Sequence, residues 1–112
     1  MTNAELVERV ARGVLQYTQI SMGTKRTSTT AFFPIEDTEF GVMWQAFDPL
    51  NDMNDLFMVL DQFDEFQIEY KDGEFMVVLW AAGEGFVSFA NTFSLAVLQA
   101  ALKAKGARNE VF

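Results

Sequence analysis

Carboxylates are the only abundant side chains in this sequence that could do chemistry. Asp52 and Asp55 stand three residues apart, and Asp61, Asp64 and Glu65 follow about one helix length later. Such clusters can hold Mg or Ca through hard oxygen ligands, or form an acid/base pair where an apolar pocket raises one pKa. Phe63 and Phe66, which flank Asp64 and Glu65, could supply that pocket locally. The supporting apparatus is absent from the sequence. It has no His and no Cys, which removes the commonest general base, the commonest metal ligand, thiolate zinc sites, cysteine nucleophiles and disulfides. No Gly-punctuated calcium loop or phosphate-cradling Gly-rich turn occurs. Ser and Thr have no imidazole to activate them, and Lys25 is the loop lysine placed to act as a base. Capping and solvation account for the acids more simply than a metal centre. The expectation is a non-enzymatic protein with no cofactor and no metal.

These acids belong to one domain, since 112 residues need no second core. Folding can bury roughly two thirds of the surface of a chain this size. Half the residues are hydrophobic and twelve are Phe, which excludes the composition of disordered chains. The net charge of −8 is unevenly spread. From Glu36 to Glu74, twelve acids oppose only Lys71, giving −11; residues 1–35 carry +2 and residues 75–112 carry +1. An acidic band repels phosphate backbones and anionic lipid and attracts basic partners, although a solvated face that only aids solubility has the same composition. No signal-peptide run and no membrane span is present, so a cytoplasmic protein is expected.

Along the chain, Thr2 or Asn3 can cap a first helix, with Leu6, Val7, Val10, Val14 and Leu15 at helical spacing and Glu5–Arg9 and Glu8–Arg12 as i,i+4 pairs. Residues 17–31 read as a polar, Gly-containing loop carrying Lys25-Arg26. A strand over Thr29–Phe33 should stop at Pro34, with Ile35–Glu39 an acidic turn and Phe40–Trp44 a second strand. Asp48-Pro49 breaks that strand, and Asn51 is a good N-cap for a helix whose buried stripe is Met53, Leu56, Phe57, Leu60 and Phe63.

Asp72-Gly73 is a two-residue hairpin signal. It sets Lys71 against Glu74, Tyr70 against Phe75, Ile68 against Val77 and Phe66 against Leu79. One face is then Phe66, Ile68, Tyr70, Phe75, Val77 and Leu79, with no polar member; the other carries Met76, Val78 and Trp80 among charged residues. A one-residue slip would mix the two sets. Gly83-Glu84-Gly85 suggests another turn, followed by a strand over Phe86–Ala90. Asn91 or Thr92 caps a last helix with a Leu95, Leu98, Leu102 stripe, ended by Gly106 and followed by a loose tail over 107–112. The fold class is α+β: three helices layered around a mainly antiparallel sheet, sandwich-like.

The segment Asp48-Pro49-Leu50-Asn51-Asp52-Met53-Asn54-Asp55-Leu56-Phe57-Met58-Val59-Leu60 resembles the Asn-Pro-Ser-Thr-Asp-Ile-Ala-Asp-Ala-Trp segment before the middle helix of the phage alpha-beta-alpha sandwich domain, a family of small phage-encoded proteins. Ala90-Asn91-Thr92-Phe93-Ser94-Leu95-Ala96, with Ala100-Ala101-Leu102 beyond, resembles the Ala-Asp-Thr-x-x-Leu-Ala opening of that family's last helix. The resemblance covers residues 44–106 and, loosely, the first helix. It departs over Tyr17–Met43, which is longer than expected, and at Phe93, where proline is common. It implies a phage or prophage origin and carries over no catalytic role.

The functional expectation is a small acidic phage accessory protein that binds, and inhibits, a basic host or defence-system protein by imitating nucleic-acid charge in the host cytoplasm. Its partner-binding residues would be Glu36, Asp37, Glu39, Asp48, Asp52, Asp55, Asp61, Asp64 and Glu65. The alternatives are a homo-oligomeric small-molecule-binding or structural protein, with Met76, Val78 and Trp80 as the oligomer face and Met58 and Val59 adding to an exposed patch, and a carboxylate metal enzyme.

Overall fold

A computed structural model describes residues 2–17, 19–22, 30–37 and 41–110, apart from the side chains at 35–37, 42, 43 and 107–110. The elements run α1 (Asn3–Gly13), β1 (Ser21–Met22), β2 (Ala31–Asp37), β3 (Gly41–Phe47), α2 (Met53–Leu60), β4 (Glu65–Lys71), β5 (Glu74–Ala81), β6 (Glu84–Ala90) and α3 (Phe93–Glu110). The class is α+β with three helices. The strands form two antiparallel sheets of three, β1-β2-β3 and β4-β5-β6, because the Asp48–Leu60 turn and helix intervene between them.

Local chemistry sets the helix starts. The Thr2 side chain caps α1 by accepting from the Glu5 amide at 3.1 Å, and Glu8 pairs with Arg12 at 3.2 Å one turn on. Thr92 accepts from the Leu95 amide at 3.3 Å at the head of α3. At α2 the cap is Asp52, which accepts from the Asn54 amide at 2.9 Å; the expected cap, Asn51, is instead drawn into the preceding turn. The α2 stripe is also rotated. Leu56, Val59 and Leu60 are buried, whereas Met53 and Phe57 are each 48% exposed. Val59 therefore belongs to the core, not to a surface patch.

α3 explains that rotation. It packs on β5 and β6 on one side and on α1 and α2 on the other, so it is buried nearly all round, through Ala96, Val97, Leu98, Ala100, Ala101 and Ala104. Alanine lets two layers approach one backbone closely, and α2 turns its smallest apolar face toward them. Leu95 and Leu102, expected in the buried stripe, are only half-buried. The helix also runs past Gly106 to Glu110. An interior glycine costs a helix only about 1 kcal/mol, too little to stop one flanked by Lys105, Ala107 and Arg108. Residues 107–110 are therefore helical rather than a loose tail.

β2 continues through Pro34 to Asp37, pairing Pro34 with Trp44 and Glu36 with Val42, where a stop and an acidic turn were expected. Proline needs only that its missing donor face an open edge, and β1 covers β2 only at Ala31 and Phe32. β1 itself lies within the segment read as a loop. Lys25, Arg26 and Glu39 fall outside the described residues. In the second sheet the hairpin has the expected register, from Phe66–Leu79 to Lys71–Glu74. Asp72 (φ 57°) and Gly73 (φ 79°) form its primed turn. The next turn is Ala82-Gly83 (φ 53° and 83°), one residue earlier than the glycines suggested, so β6 begins at Glu84. The core between the layers is filled by Val7, Val10, Phe47, Leu56, Leu79 and Leu98.

Candidate functional site

The acids of the α2 region fall into two groups once their partners are traced. In the first, the carboxylates are committed to their own backbone. The Asp48 amide donates to Asp55 Oδ2 at 2.8 Å, and the Asn51 side-chain amide donates to Asp48 Oδ1 and Oδ2 at 3.1 and 3.2 Å. The amides of Asn51 and Asp52 both close on the Asp48 carbonyl, at 3.1 and 2.8 Å. Pro49 is buried beneath this turn. Asp48, Asp52 and Asp55 thus build the helix entrance. Tyr17, stacked on Phe33 at 4.0 Å, has a hydroxyl whose pKa burial pushes up, with the Asp55 charge adding to the rise.

The second group surrounds the α2 C-terminus. Asp61 caps the helix end with its backbone while its side chain lies exposed, with no bond among the described residues. Asp64 ties this end to the second sheet: its amide donates to the Trp80 carbonyl at 2.9 Å and its Oδ2 accepts from the Ala82 amide at 3.2 Å. Glu65 opens β4 with an exposed side chain that has no bond among the described residues, and Glu84 opens β6 across the Ala82-Gly83 turn. Glu36 and Asp37 lie on β2, where their side chains are not described, so the nine expected partner residues include six whose surroundings are on view. No three carboxylates among the described residues converge as metal ligands would.

The outer face of the second sheet carries Met76, Val78 and Trp80. Val78 is buried, and Met76 and Trp80 are half-buried. The Trp80 ring lies over Gly85, where an added Cβ would stand 3.1 Å from two ring carbons and 3.2 Å from Val78 Cγ1. Much of this face therefore covers itself. An open groove of about 590 Å³ lies between α1, β6 and α3; in it Ser88 donates to Gln99 Oε1 at 3.0 Å and Lys103 Nζ donates to the Val87 carbonyl at 2.7 Å.

The feature that sequence reasoning missed is the exposure of β4. All seven of its residues are exposed, including Phe66 (42%), Ile68 (46%) and Tyr70 (62%), although they share a face with the buried Val77 and Leu79. α3 covers β5 and β6 and leaves β4 overhanging. The available signal is arithmetic: the six-residue apolar face of β4 and β5 lies in a sheet three strands wide, which is more than one helix covers. No family model, curated protein or solved structure matches this chain.

Proposed function

We propose that this chain is a small, non-enzymatic binding protein that engages a basic surface of a protein partner through the acidic end of the molecule around Asp61, Asp64 and Glu65. The phage accessory, anti-defence role implied by the family resemblance is one setting for such a protein. One observation carries the reading: these acids gather at the C-terminus of α2, where the helix dipole is already negative and no basic residue occupies the last turn. Stability alone favours Lys or Arg there. Asp52 and Asp55 have a local reason for their charge; Asp61 and Glu65 have none among the described residues. Across residues 41–92, ten acids face a single lysine, and Lys105 of α3 is the cation that shares a pocket with Gln62 and Phe63 at this end. A partner site that otherwise takes phosphates would find the same sign of charge here.

The test is capture from bacterial lysate with wild-type protein and with the Asp61→Lys/Glu84→Lys double variant, at low and high salt. Both positions are exposed and make no side-chain hydrogen bond among the described residues. A basic protein held at low salt, released at high salt and lost with the variant is expected. Equal capture by the variant, or no basic protein held at low salt, overturns the proposal.

A further inference from the structure

β4 is an edge strand with little of the usual protection. Among the described residues its one strand neighbour is β5. Edges are normally blunted by proline, a bulge, shortness or charged side chains, lysine above all; the charges of β4 are Glu65, Glu69 and Lys71, on the face opposite Phe66, Ile68 and Tyr70. β4 is seven residues long, pairs with β5 in unbroken register, contains no proline, and places its one lysine at the end.

The hairpin turn fixes which backbone groups face the open side. A two-residue turn makes Lys71–Glu74 a hydrogen-bonded pair, and bonded and non-bonded pairs alternate from there. Lys71, Glu69 and Gln67 therefore turn their amides and carbonyls toward β5. Tyr70, Ile68 and Phe66 turn theirs outward. Three donors and three acceptors line the edge, on the residues whose side chains form the exposed apolar ridge.

The sequence Glu65-Phe66-Gln67-Ile68-Glu69-Tyr70-Lys71 complements itself. With a two-fold axis through Ile68, an antiparallel second copy sets Glu65 opposite the partner's Lys71, Phe66 opposite the partner's Tyr70, Gln67 opposite the partner's Glu69 and Ile68 opposite itself. The bonded pairs in this register are 66–70, 68–68 and 70–66, the same positions whose backbone groups point outward. Other registers fail. A slip of two residues one way puts Glu65 beside Glu69, and the other way puts Glu69 beside Glu69, both like-charge contacts that destabilise a pair. A slip of one residue presents the wrong backbone groups.

We infer that two copies of this chain associate through β4, joining their second sheets into one six-stranded antiparallel sheet with an isologous interface. Six main-chain hydrogen bonds and two Glu65–Lys71 ion pairs tie the strands. Phe66, Ile68 and Tyr70 of both copies merge into one apolar strip beside the two α3 helices. The Met76, Val78 and Trp80 face takes no part. Glu65 is common to this interface and to the acidic end of the proposed function, but the Asp61→Lys/Glu84→Lys variant that tests that function leaves β4 unchanged, so the two readings can fail separately.

Mass in solution, with far-ultraviolet circular dichroism as the fold control, tests it. Wild type at micromolar concentration should have about 25.4 kDa, twice the 12.7 kDa of the chain. Ile68→Lys, which places two lysines on the axis, should give 12.7 kDa with an unchanged spectrum. Glu65→Lys and Lys71→Glu should each weaken the dimer at least tenfold, and the double variant Glu65→Lys/Lys71→Glu should restore it. A strictly monomeric wild type, a dimer indifferent to Ile68→Lys, or a double variant no tighter than the singles overturns the inference.

Discussion

Asp48 and Asp55, seven residues apart, are joined by a 2.8 Å hydrogen bond from the Asp48 amide to the Asp55 carboxylate. The bond fixes the angle at which the chain leaves β3 and enters α2, over the buried Pro49. Both ends are partly buried, so the amide has no ready replacement for its acceptor. Asp55→Ala should lower stability by about 2 kcal/mol, seen as a lower urea midpoint with unchanged slope.

Tyr17 makes stability depend on alkaline pH. Burial, reinforced by Asp55, raises its pKa above the ordinary 10.0, so the folded state holds the phenol proton after the unfolded chain has released it. The stabilisation from this group is complete below about pH 10. It is lost as pH rises from there through the folded value. Thermal denaturation across that range should show Tyr17→Phe losing less stability than wild type. In a Tyr70→Phe background, the remaining phenolate absorbance should titrate lower once Asp55 becomes Ala.

Gly85 is needed for the space under Trp80. Gly85→Ala must displace the indole or Val78, since the new methyl would lie 3.1 Å from the ring. A loss of about 1 kcal/mol should accompany a shift in Trp80 fluorescence, measured in a Trp44→Phe background.

Asp52 and Asp61 flank one helix with opposite consequences. Asp52→Ala removes the N-cap of α2 and should cost about 1 kcal/mol. Asp61→Lys reverses a charge at the negative end of the dipole and should raise stability by about 0.5 kcal/mol. Chemical denaturation of the two variants against wild type measures both signs. A gain at Asp61 coupled to loss of the basic partner would show charge kept there at the expense of stability.

The contrast between these residues shows what the sequence makes legible. The register of the β4–β5 hairpin follows from Asp72-Gly73 and a period-two pattern, both local, and the structure has it to the residue. Helix starts at Thr2 and Thr92 are equally local. Burial is not. Met53 and Phe57 fit a helical stripe as well as Val59 does, and only the position of α3 selects Val59. The fate of Phe66, Ile68 and Tyr70 likewise depends on how far one helix reaches across three strands. Ala82 at φ 53° gave no sign of a turn, because alanine seldom takes that conformation. The acidic band was plain from composition, yet its division into caps and free charges required the hydrogen bonds.

The placement of α3 bears on how the protein is made. α1, α2 and the second sheet meet mainly through a helix that begins at Phe93, so a nascent chain holding residues 1–92 has apolar faces but nothing for them to close upon. Until the ribosome has released this last helix, the Val77–Leu79 face and the Val7–Val10 face stay wet and open to chaperones. Folding thus waits for α3 to leave the ribosome.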